Sequence, residues 1–188
     1  MDIERTYTAF AEDDQIATGD LATLLRATKA RLDQGIEAPV LIIDDSSGRQ
    51  ADFDLTGSID EVLKRELPEA PQRGPGRPRL GVVSREVTLL PRHWEWLAEQ
   101  PTGASATLRS LVEEARKNEP PELERRRLAA TTGSAMTVLA GDRPNFEEAY
   151  RALDAGNSGR FVKLISDWPL DVQRYLLRLV GWSHEGSS

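Results

Sequence analysis

This chain of 188 residues lacks several features that define large classes of protein, and each absence narrows the range of functions. It has no cysteine, which excludes disulfides and thiolate-bound zinc sites. Its two histidines, His93 and His184, are too few for a histidine-rich metal site. No run of about 18 apolar residues occurs, so no segment is predicted to span a membrane. We therefore predict a protein with no metal and no cofactor.

The N-terminal sequence and the composition set further expectations. The first ten residues, MDIERTYTAF, lack the apolar core of a signal peptide, so we expect a cytoplasmic protein. Hydrophobic residues make up 39% of the chain and charged residues 29%, which is enough apolar material for a core beneath a well-solvated surface. A chain of this length can hold one medium domain or two small ones.

The formal net charge of −7 hides an uneven distribution along the chain. Residues 1–70 carry a net charge of −9, residues 71–118 carry +3, and residues 119–188 carry −1. A positive middle beside an acidic N-terminal part suggests that the middle contacts an anion. Chance clustering of surface arginines would give the same distribution, so charge alone does not choose between these interpretations.

The order of strand-like and helical segments predicts an α+β fold. Residues 1–68 alternate short strands and helices in the order ββαββα, which we interpret as an N-terminal α+β domain. Asp20 is predicted to cap the first helix. Ser58 and Glu61 have the spacing of a capping box, which predicts the start of the second helix.

The C-terminal part, residues 119–188, predicts a helical domain that we expect to pack separately from the N-terminal one. Its first helix is predicted to break at Gly133. Asn145 and Glu148 again have the spacing of a capping box, and Pro169 is predicted to begin the last helix.

Two adjacent carboxylates, Asp44 and Asp45, follow the apolar run PVLII and have two interpretations. Carboxylates at strand ends can hold Mg²⁺ in phosphotransfer sites, because hard cations bind clustered oxygens. Asp and Gly also occur in hairpin turns for backbone reasons, and DDSSGR has the composition of such a turn. We favour the turn, because no downstream lysine or second acidic strand end completes a catalytic set.

Residues 69–80 are predicted to form a basic linker. Three prolines and two glycines in EAPQRGPGRPR disfavour both helix and central strand, and they leave Arg73, Arg77 and Arg79 in an extended segment. The GRPR sequence is similar to the core of an AT-hook, the short arm that lies in the minor groove of A·T-rich DNA. That resemblance implies that Arg77 reads the groove, whose potential attracts guanidinium groups. A basic linker without a partner is the alternative.

Residues 81–118 predict a strand, a helix, a glycine turn and a second helix. The run VVSREVTLL is strand-like, Pro91 begins the first helix as a first-turn proline does, and SLVEEAR lies in the second helix after Gly103. This order resembles the ribbon-helix-helix DNA-binding unit, in which two protomers pair their strands and the ribbon enters the major groove. The resemblance implies a homodimer that contacts DNA.

The ribbon-helix-helix resemblance also assigns base-reading positions, in one of two registers. Counted back from Pro91, these positions fall on Leu89, Val87 and Arg85. A shift of one residue gives Ser84, Glu86 and Thr88. In the first register two of the three side chains are apolar, and their alternative role is to pack in a core.

Three blocks of the chain resemble an uncharacterised bacterial protein family, a domain of unknown function. The blocks are GRPRLGVVSREVTLLPRHWEWL, GDRPNFEEAYRAL and WPLDVQRYLLRL. The resemblance extends over most of the chain and implies a bacterial, soluble, intracellular protein. It implies no activity.

These patterns favour a non-enzymatic DNA-binding protein, either a transcriptional regulator or a nucleoid-associated factor. We expect it to bind A·T-rich double-stranded DNA as a homodimer, with arginines neutralising phosphates. The residues predicted to contact DNA are Arg73, Arg77, Arg79, Arg85 and Arg92.

Two other functions compete with DNA binding. The first is a protein–protein interaction or adaptor module without nucleic-acid binding, which the apolar Val87 and Leu89 and the pI near 5.0 favour. The second is an enzyme, in which His93, Ser105 and a carboxylate would form a hydrolytic set. Their spacing does not indicate the hydrogen-bond contact that such a set needs, so we predict no catalytic residues.

Overall fold

The structure is a computed structural model that describes residues 5–35, 39–67 and 85–182. Within these ranges the chain forms four strands and eight helices, which confirms the α+β class. The described residues divide into two compact units. Those before residue 68 and after residue 123 form the first unit, and residues 85–123 form the second.

A four-stranded antiparallel sheet lies in the first unit. Its strands are β1 (Tyr7–Ala11), β2 (Asp14–Gly19), β3 (Val40–Asp44) and β4 (Arg49–Gln50), in the spatial order β2-β1-β3-β4. β1 is central, with Ala9 opposite Ala17 of β2 and Ile42 of β3. The fourth strand has two residues, and Ala51, directly after it, donates a backbone hydrogen bond to Ile42 of β3 at 2.8 Å.

Eight helices lie within the described residues. They are α1 (Leu21–Asp33), α2 (Ile59–Glu66), α3 (Pro91–Ala98), α4 (Ala104–Lys117), α5 (Pro121–Ala140), α6 (Phe146–Asp154), α7 (Ser158–Leu164) and α8 (Leu170–Val180). α1 and α2 hold the positions in the chain that were predicted for the N-terminal part. Asp20 caps α1 by accepting a hydrogen bond from the backbone N–H of Thr23 at 2.9 Å. Ser58 and Glu61 form the predicted capping box on α2. These caps satisfy N–H groups that a first helical turn leaves without partners.

Two local predictions in the C-terminal part are wrong. α5 continues through Gly133, where an added Cβ would lie 2.9 Å from the ring of Tyr150, so this glycine allows close packing and does not end the helix. Asn145 precedes α6 with a left-handed backbone (φ 64°), and its side chain does not cap the helix. Its amide instead donates to the carbonyl of Leu164 at 3.5 Å.

The N-terminal sheet and the C-terminal helices share one hydrophobic core, which differs from the separate helical domain that we expected. Phe10 of β1 and Ile43 of β3 are fully buried among residues of α5 to α8. The rings of Phe10 and Tyr175 meet edge-on, with centroids 5.2 Å apart. The opposite face of the sheet packs on α1 through Tyr7 and Leu24. Because strand side chains alternate between faces, β1 contributes side chains to both cores and needs helices packed on both faces of the sheet.

The second unit contains α3 and α4 but no strand among its described residues. Pro91 occupies the first turn of α3, as predicted, and Gly103 precedes α4 with φ 76°. Residues 85–90 are not paired with any strand, and the sheet of the first unit does not include them. The predicted strand is therefore not formed by residues 85–90 within this chain. A strand requires a neighbouring strand that hydrogen-bonds to its backbone N–H and C=O groups, and no described strand lies beside residues 85–90.

Candidate functional site

The five arginines predicted to contact DNA fall partly within the structure. Arg73, Arg77 and Arg79 lie outside the described residues. Arg85 and Arg92 are exposed, the first in the segment before α3 and the second in its first turn. Neither of these two forms an ion pair with a described residue. Both guanidinium groups are therefore available to an external anion.

The second unit exposes most of its large apolar side chains. Among residues 85–123 only Leu97 and Thr107 are buried. The exposed large apolar residues are Val87, Leu90, Trp94, Trp96, Leu111, Val112 and Leu123, with exposed fractions between 44% and 58%.

Apolar residues of the second unit lie at helical spacing. In α3, Trp94 and Leu97 are three residues apart on one face, where Leu97 is buried and Trp94 is 44% exposed. In α4, Leu111 and Val112 lie on one face, and both are exposed. We call these two faces together the apolar face of the second unit. An amphipathic helix pair with an exposed apolar face is typical of a protein interface.

The connection between α3 and α4 is held by side-chain hydrogen bonds. The hydroxyls of Thr102 and Thr107 lie 3.0 Å apart, and the Thr107 hydroxyl donates to the carbonyl of Gly103 at 3.0 Å. The side-chain amide of Gln100 donates to the carbonyl of Trp96 at 3.0 Å. The turn is therefore ordered locally, although the unit buries a single large apolar side chain.

The positive charge of the central region is not spread evenly over it. Residues 85–123 carry five basic and seven acidic side chains, a net charge of −2. Residues 71–84 carry three arginines and no acidic residue. The positive charge of the central region is therefore concentrated in residues 71–84, which we call the basic arm and which lie outside the described residues; Arg85 and Arg92 follow it in the sequence.

The two carboxylates singled out by sequence, Asp44 and Asp45, lie in the first unit and serve the hairpin turn. Asp44 ends β3, and residues 45–48 form the turn to β4, which confirms the turn interpretation. The backbone N–H and hydroxyl of Ser46 donate to Asp44 Oδ1 at 2.9 and 2.7 Å. Among the described residues, no three acidic or histidine side chains cluster as metal ligands.

The buried carboxylate of Asp44 also forms an ion pair with Arg5, whose side chain is 63% exposed. Arg5 Nε donates to Asp44 Oδ2 at 3.0 Å, and its Nη2 contacts the same oxygen. Burial acts to raise the pKa of Asp44, but the hydrogen bonds from Arg5 and Ser46, with the charge of Arg5, outweigh it and hold the pKa below its ordinary value. Asp44 is therefore ionised in the folded protein over the neutral range.

Asp45 is the acceptor of a polar network that joins the sheet to α8. It accepts hydrogen bonds from the hydroxyls of Thr6, Thr8 and Tyr175 at 3.0, 2.9 and 3.1 Å. Arg178 lies 3.5 Å from the same carboxylate and donates to Thr8 Oγ1 at 2.9 Å. Burial, together with the charge of Asp45, raises the pKa of the Tyr175 hydroxyl well above its ordinary value. Tyr175 therefore remains a hydrogen-bond donor at any ordinary pH.

Two surface cavities lie beside these two carboxylates. The first, of about 560 Å³, includes Arg5 and Asp44 in its lining. The second, of about 410 Å³, includes Tyr175, Arg174 and Arg178. Both arginines of the second cavity have a carboxylate partner. Arg174 lies 3.7 Å from Asp171, and Arg178 pairs with Asp45.

The polar network around Asp45 was not predicted from sequence. Thr8, Tyr175 and Arg178 are separated from Asp45 by 37, 130 and 133 positions, so no local spacing could reveal them. The hydrolytic set considered from sequence is not assembled either. His93 and Ser105 are exposed in the first turns of α3 and α4, and no hydrogen bond joins their side chains.

Comparison with known proteins identifies a family but no characterised relative. The sequence profile of DUF2239, described as an uncharacterized protein conserved in bacteria, matches residues 6–180. Searches of curated proteins and of solved structures found no match. The resemblance to ribbon-helix-helix proteins is therefore not confirmed. None of the described helices has the length and apolar character needed to cross a membrane.

Proposed function

We propose that this chain, which belongs to the DUF2239 family of uncharacterized proteins conserved in bacteria, binds double-stranded DNA as a homodimer. The protein would act as a transcriptional regulator or a nucleoid-associated factor. The observation that carries the proposal is the exposed apolar face of the second unit, directly after an arm of three arginines. The arm offers charge to DNA, and the apolar face offers a surface through which two copies can associate.

The segment before α3 supports pairing with a second copy. No backbone N–H or C=O of residues 85–89 forms a hydrogen bond with a described residue. Val87 is 58% exposed in this segment. An antiparallel copy of the same segment would satisfy these backbone groups and cover Val87, and such a two-fold interface is self-complementary.

Dimerisation would double the charge presented to one duplex. Arg85 and Arg92 are exposed and follow the arm that contains Arg73, Arg77 and Arg79. Each arginine that neutralises a phosphate releases a counterion, so affinity should fall steeply as salt is raised. Arg77, within GRPR, would enter the minor groove and favour A·T-rich duplex, where the groove is narrow.

Fluorescence anisotropy with labelled duplexes of A·T-rich and G·C-rich sequence, at low and physiological salt, tests this function. The double substitution Arg77→Ala and Arg79→Ala should weaken binding to the A·T-rich duplex by about 1–3 kcal/mol for each base-reading arginine. It should also reduce the preference for A·T-rich over G·C-rich DNA. The matched control is Arg26→Ala with Arg160→Ala, two exposed arginines of the first unit that change the net charge equally. Equal losses in both double variants would indicate a general charge effect and contradict the proposal.

A protein-interaction module is the second candidate, and the charge of the second unit favours it. The net charge of −2 over residues 85–123 would repel DNA phosphates, whereas the apolar face suits a protein partner. If the protein forms dimers but binds neither duplex at low salt, the second unit is an assembly surface and the DNA proposal fails.

A further inference from the structure

The surface cavity between β2 and α8 is lined by six polar residues of the first unit. Its volume is about 410 Å³, and its lining is Gln15, Thr18, Asp171, Arg174, Tyr175 and Arg178. The lining carries one carboxylate and two guanidinium groups, and the carboxylate of Asp45 lies 3.5 Å from Arg178. With Asp45 included the charges balance, so net charge does not select the ligand. The selection depends on which atoms of the lining still have hydrogen bonds to make.

The guanidinium group of Arg178 is held in one orientation. Its Nη2 donates to Thr8 Oγ1 at 2.9 Å and lies 3.5 Å from Asp45 Oδ2. Its Cζ lies 5.3 Å from the centroid of the Tyr175 ring, so the cation also lies over an aromatic face. Nε and Nη1 make no hydrogen bond with a described residue. These two nitrogens can donate to a ligand without a rearrangement of Arg178.

Arg174 and Asp171 form an ion pair that is too long for a hydrogen bond. Arg174 Nη1 lies 3.7 Å from Asp171 Oδ1, whereas a charge-assisted hydrogen bond is about 2.7–2.9 Å long. Within the described part of the chain, the Arg174 side chain donates no hydrogen bond, and Asp171 accepts one only at Oδ2, from the backbone N–H of Gln15 at 3.1 Å. A cationic donor and an anionic acceptor thus lie side by side with hydrogen bonds still to make.

We propose that this cavity binds a free α-amino acid. The carboxylate of the ligand would accept hydrogen bonds from Arg174 and Arg178, which lie one turn apart on α8. Its ammonium group would donate to Asp171 Oδ1. The two charged groups of an α-amino acid are joined through a single carbon atom, which suits the short distance between the charges of Arg174 and Asp171. The ligand would replace one long ion pair with two sets of charge-assisted hydrogen bonds.

The remaining features of the cavity fit a ligand of this size. Its volume falls within the range of small-molecule sites, about 300–1,000 Å³. The side-chain amide of Gln15 makes no hydrogen bond with the described residues and can contact the side chain of the ligand. The proposal is independent of DNA binding by the central segment.

Isothermal titration calorimetry of the full chain with glycine, L-alanine, L-glutamate and L-lysine tests the site, because these four ligands share the α-amino acid group and differ in their side chains. We expect saturable binding of one molecule per chain for at least one of them. Sodium acetate and methylammonium chloride each carry one of the two charges. Each should bind about tenfold more weakly or worse, because a hydrogen bond to a charged group contributes at least that factor.

Two substitutions in the cavity, each with a matched control, locate the binding. Arg174→Gln and Asp171→Asn should each weaken it about tenfold or more, and asparagine keeps an oxygen that can accept from Gln15. Arg26→Gln removes the same charge as Arg174→Gln from an exposed position of α1 outside the cavity. Asp60→Asn matches Asp171→Asn, because Asp60 is exposed and each aspartate is the second residue of its helix. Both controls should bind as the wild type does, and circular dichroism melting checks that all four variants fold.

Three results would overturn the proposal. The first is that none of the four amino acids gives a saturable heat of binding. The second is that acetate or methylammonium binds as tightly as the amino acids do, which would indicate a site for a single charge. The third is that the folded cavity variants bind no more weakly than their controls, which would place the binding elsewhere on the chain.

Discussion

The hydroxyl of Tyr175 in α8 donates a hydrogen bond to Asp45 in the β3–β4 turn at 3.1 Å, across 130 positions of sequence. The ring of the same tyrosine packs edge-on against Phe10 of β1. One side chain of the last helix thus makes both a polar and an apolar contact with the N-terminal sheet. This double contact explains why the two ends of the chain form a single unit.

Removing only the hydroxyl of Tyr175 should destabilise the protein modestly. Tyr175→Phe keeps the ring on Phe10 but deletes one donor to Asp45, which should lower the free energy of unfolding by about 0.5–1.5 kcal/mol. Urea denaturation followed by circular dichroism measures the change. Tyr150→Phe is the control, because Tyr150 is 42% exposed and its hydroxyl has no hydrogen-bond partner among the described residues. If Tyr150→Phe lowers the free energy of unfolding as much as Tyr175→Phe does, the stabilising role of the hydrogen bonds to Asp45 is contradicted.

Adding a methyl group at Gly48 should be far more costly than adding one at Gly181. Both residues have positive φ, 66° and 73°, so alanine at either meets a left-handed backbone that costs about 1–2 kcal/mol. At Gly48 the new Cβ would also collide with the Thr131 carbonyl, and overpacking adds about 1–3 kcal/mol. At Gly181 no atom lies within 4 Å. Unfolding free energies of the two alanine variants should therefore differ, and equal values would show that the turn can move away from α5.

Acid should weaken the protein partly through Asp44. Its folded-state pKa is lower than the ordinary value of 3.8, so the unfolded chain binds the proton more readily. The resulting stabilisation is fully present above the unfolded-state pKa and is lost as the pH falls through the folded-state pKa. Asp44→Asn should be less stable than the wild type at neutral pH and should lose less stability on acidification from about pH 5 to about pH 2. The midpoints of urea denaturation, measured across this pH range, give the change in stability. If the midpoints of both proteins fall in parallel as the pH is lowered, the stabilising role of ionised Asp44 is contradicted.

Proline at position 87 should dissociate the proposed dimer without disturbing the fold of the chain. The backbone N–H of Val87 has no hydrogen-bond partner among the described residues, so its loss matters only where a second chain accepts from it. Sedimentation velocity at micromolar concentration should show dimers for the wild type and monomers for Val87→Pro. Val87→Ala keeps the N–H and separates the backbone effect from the loss of the side chain. A wild-type protein that stays monomeric at all concentrations would contradict the pairing of residues 85–89 between two copies.

The local structure was largely predictable from sequence. Asp20, Ser58 with Glu61, and Pro91 each act through backbone groups within a few residues, so their spacing alone reveals where the helices begin. Asn145 looked like the same kind of signal but failed, because its backbone is left-handed and turns the side chain away from the first helical turn. A capping motif shows which residues can cap a helix. Whether they do so depends on their backbone angles, and those angles depend on the packing of the neighbouring helices.

The contacts that build the candidate sites were not predictable from sequence. The ion pair of Arg5 with Asp44 and the hydrogen bond of Tyr175 to Asp45 depend on how strands and helices come together over long separations. Gly133 shows the same limit for packing. A glycine in a helical pattern predicts a break in the helix, because the sequence does not show that the ring of Tyr150 packs against it. Local periodicity carries no information on these pairings.

The tryptophans give the protein a built-in optical reporter of its second unit. Trp94 and Trp96 are 44% and 47% exposed, whereas Trp168 of the first unit is 4% exposed and donates its ring N–H to the carbonyl of Pro144. Water around the first two indoles should place their emission at long wavelength, while Trp168 emits from an apolar environment. Association through the apolar face would remove water from Trp94, so the emission maximum should move to shorter wavelength as protein concentration rises. Intrinsic fluorescence thus distinguishes a covered second unit from an open one without any label.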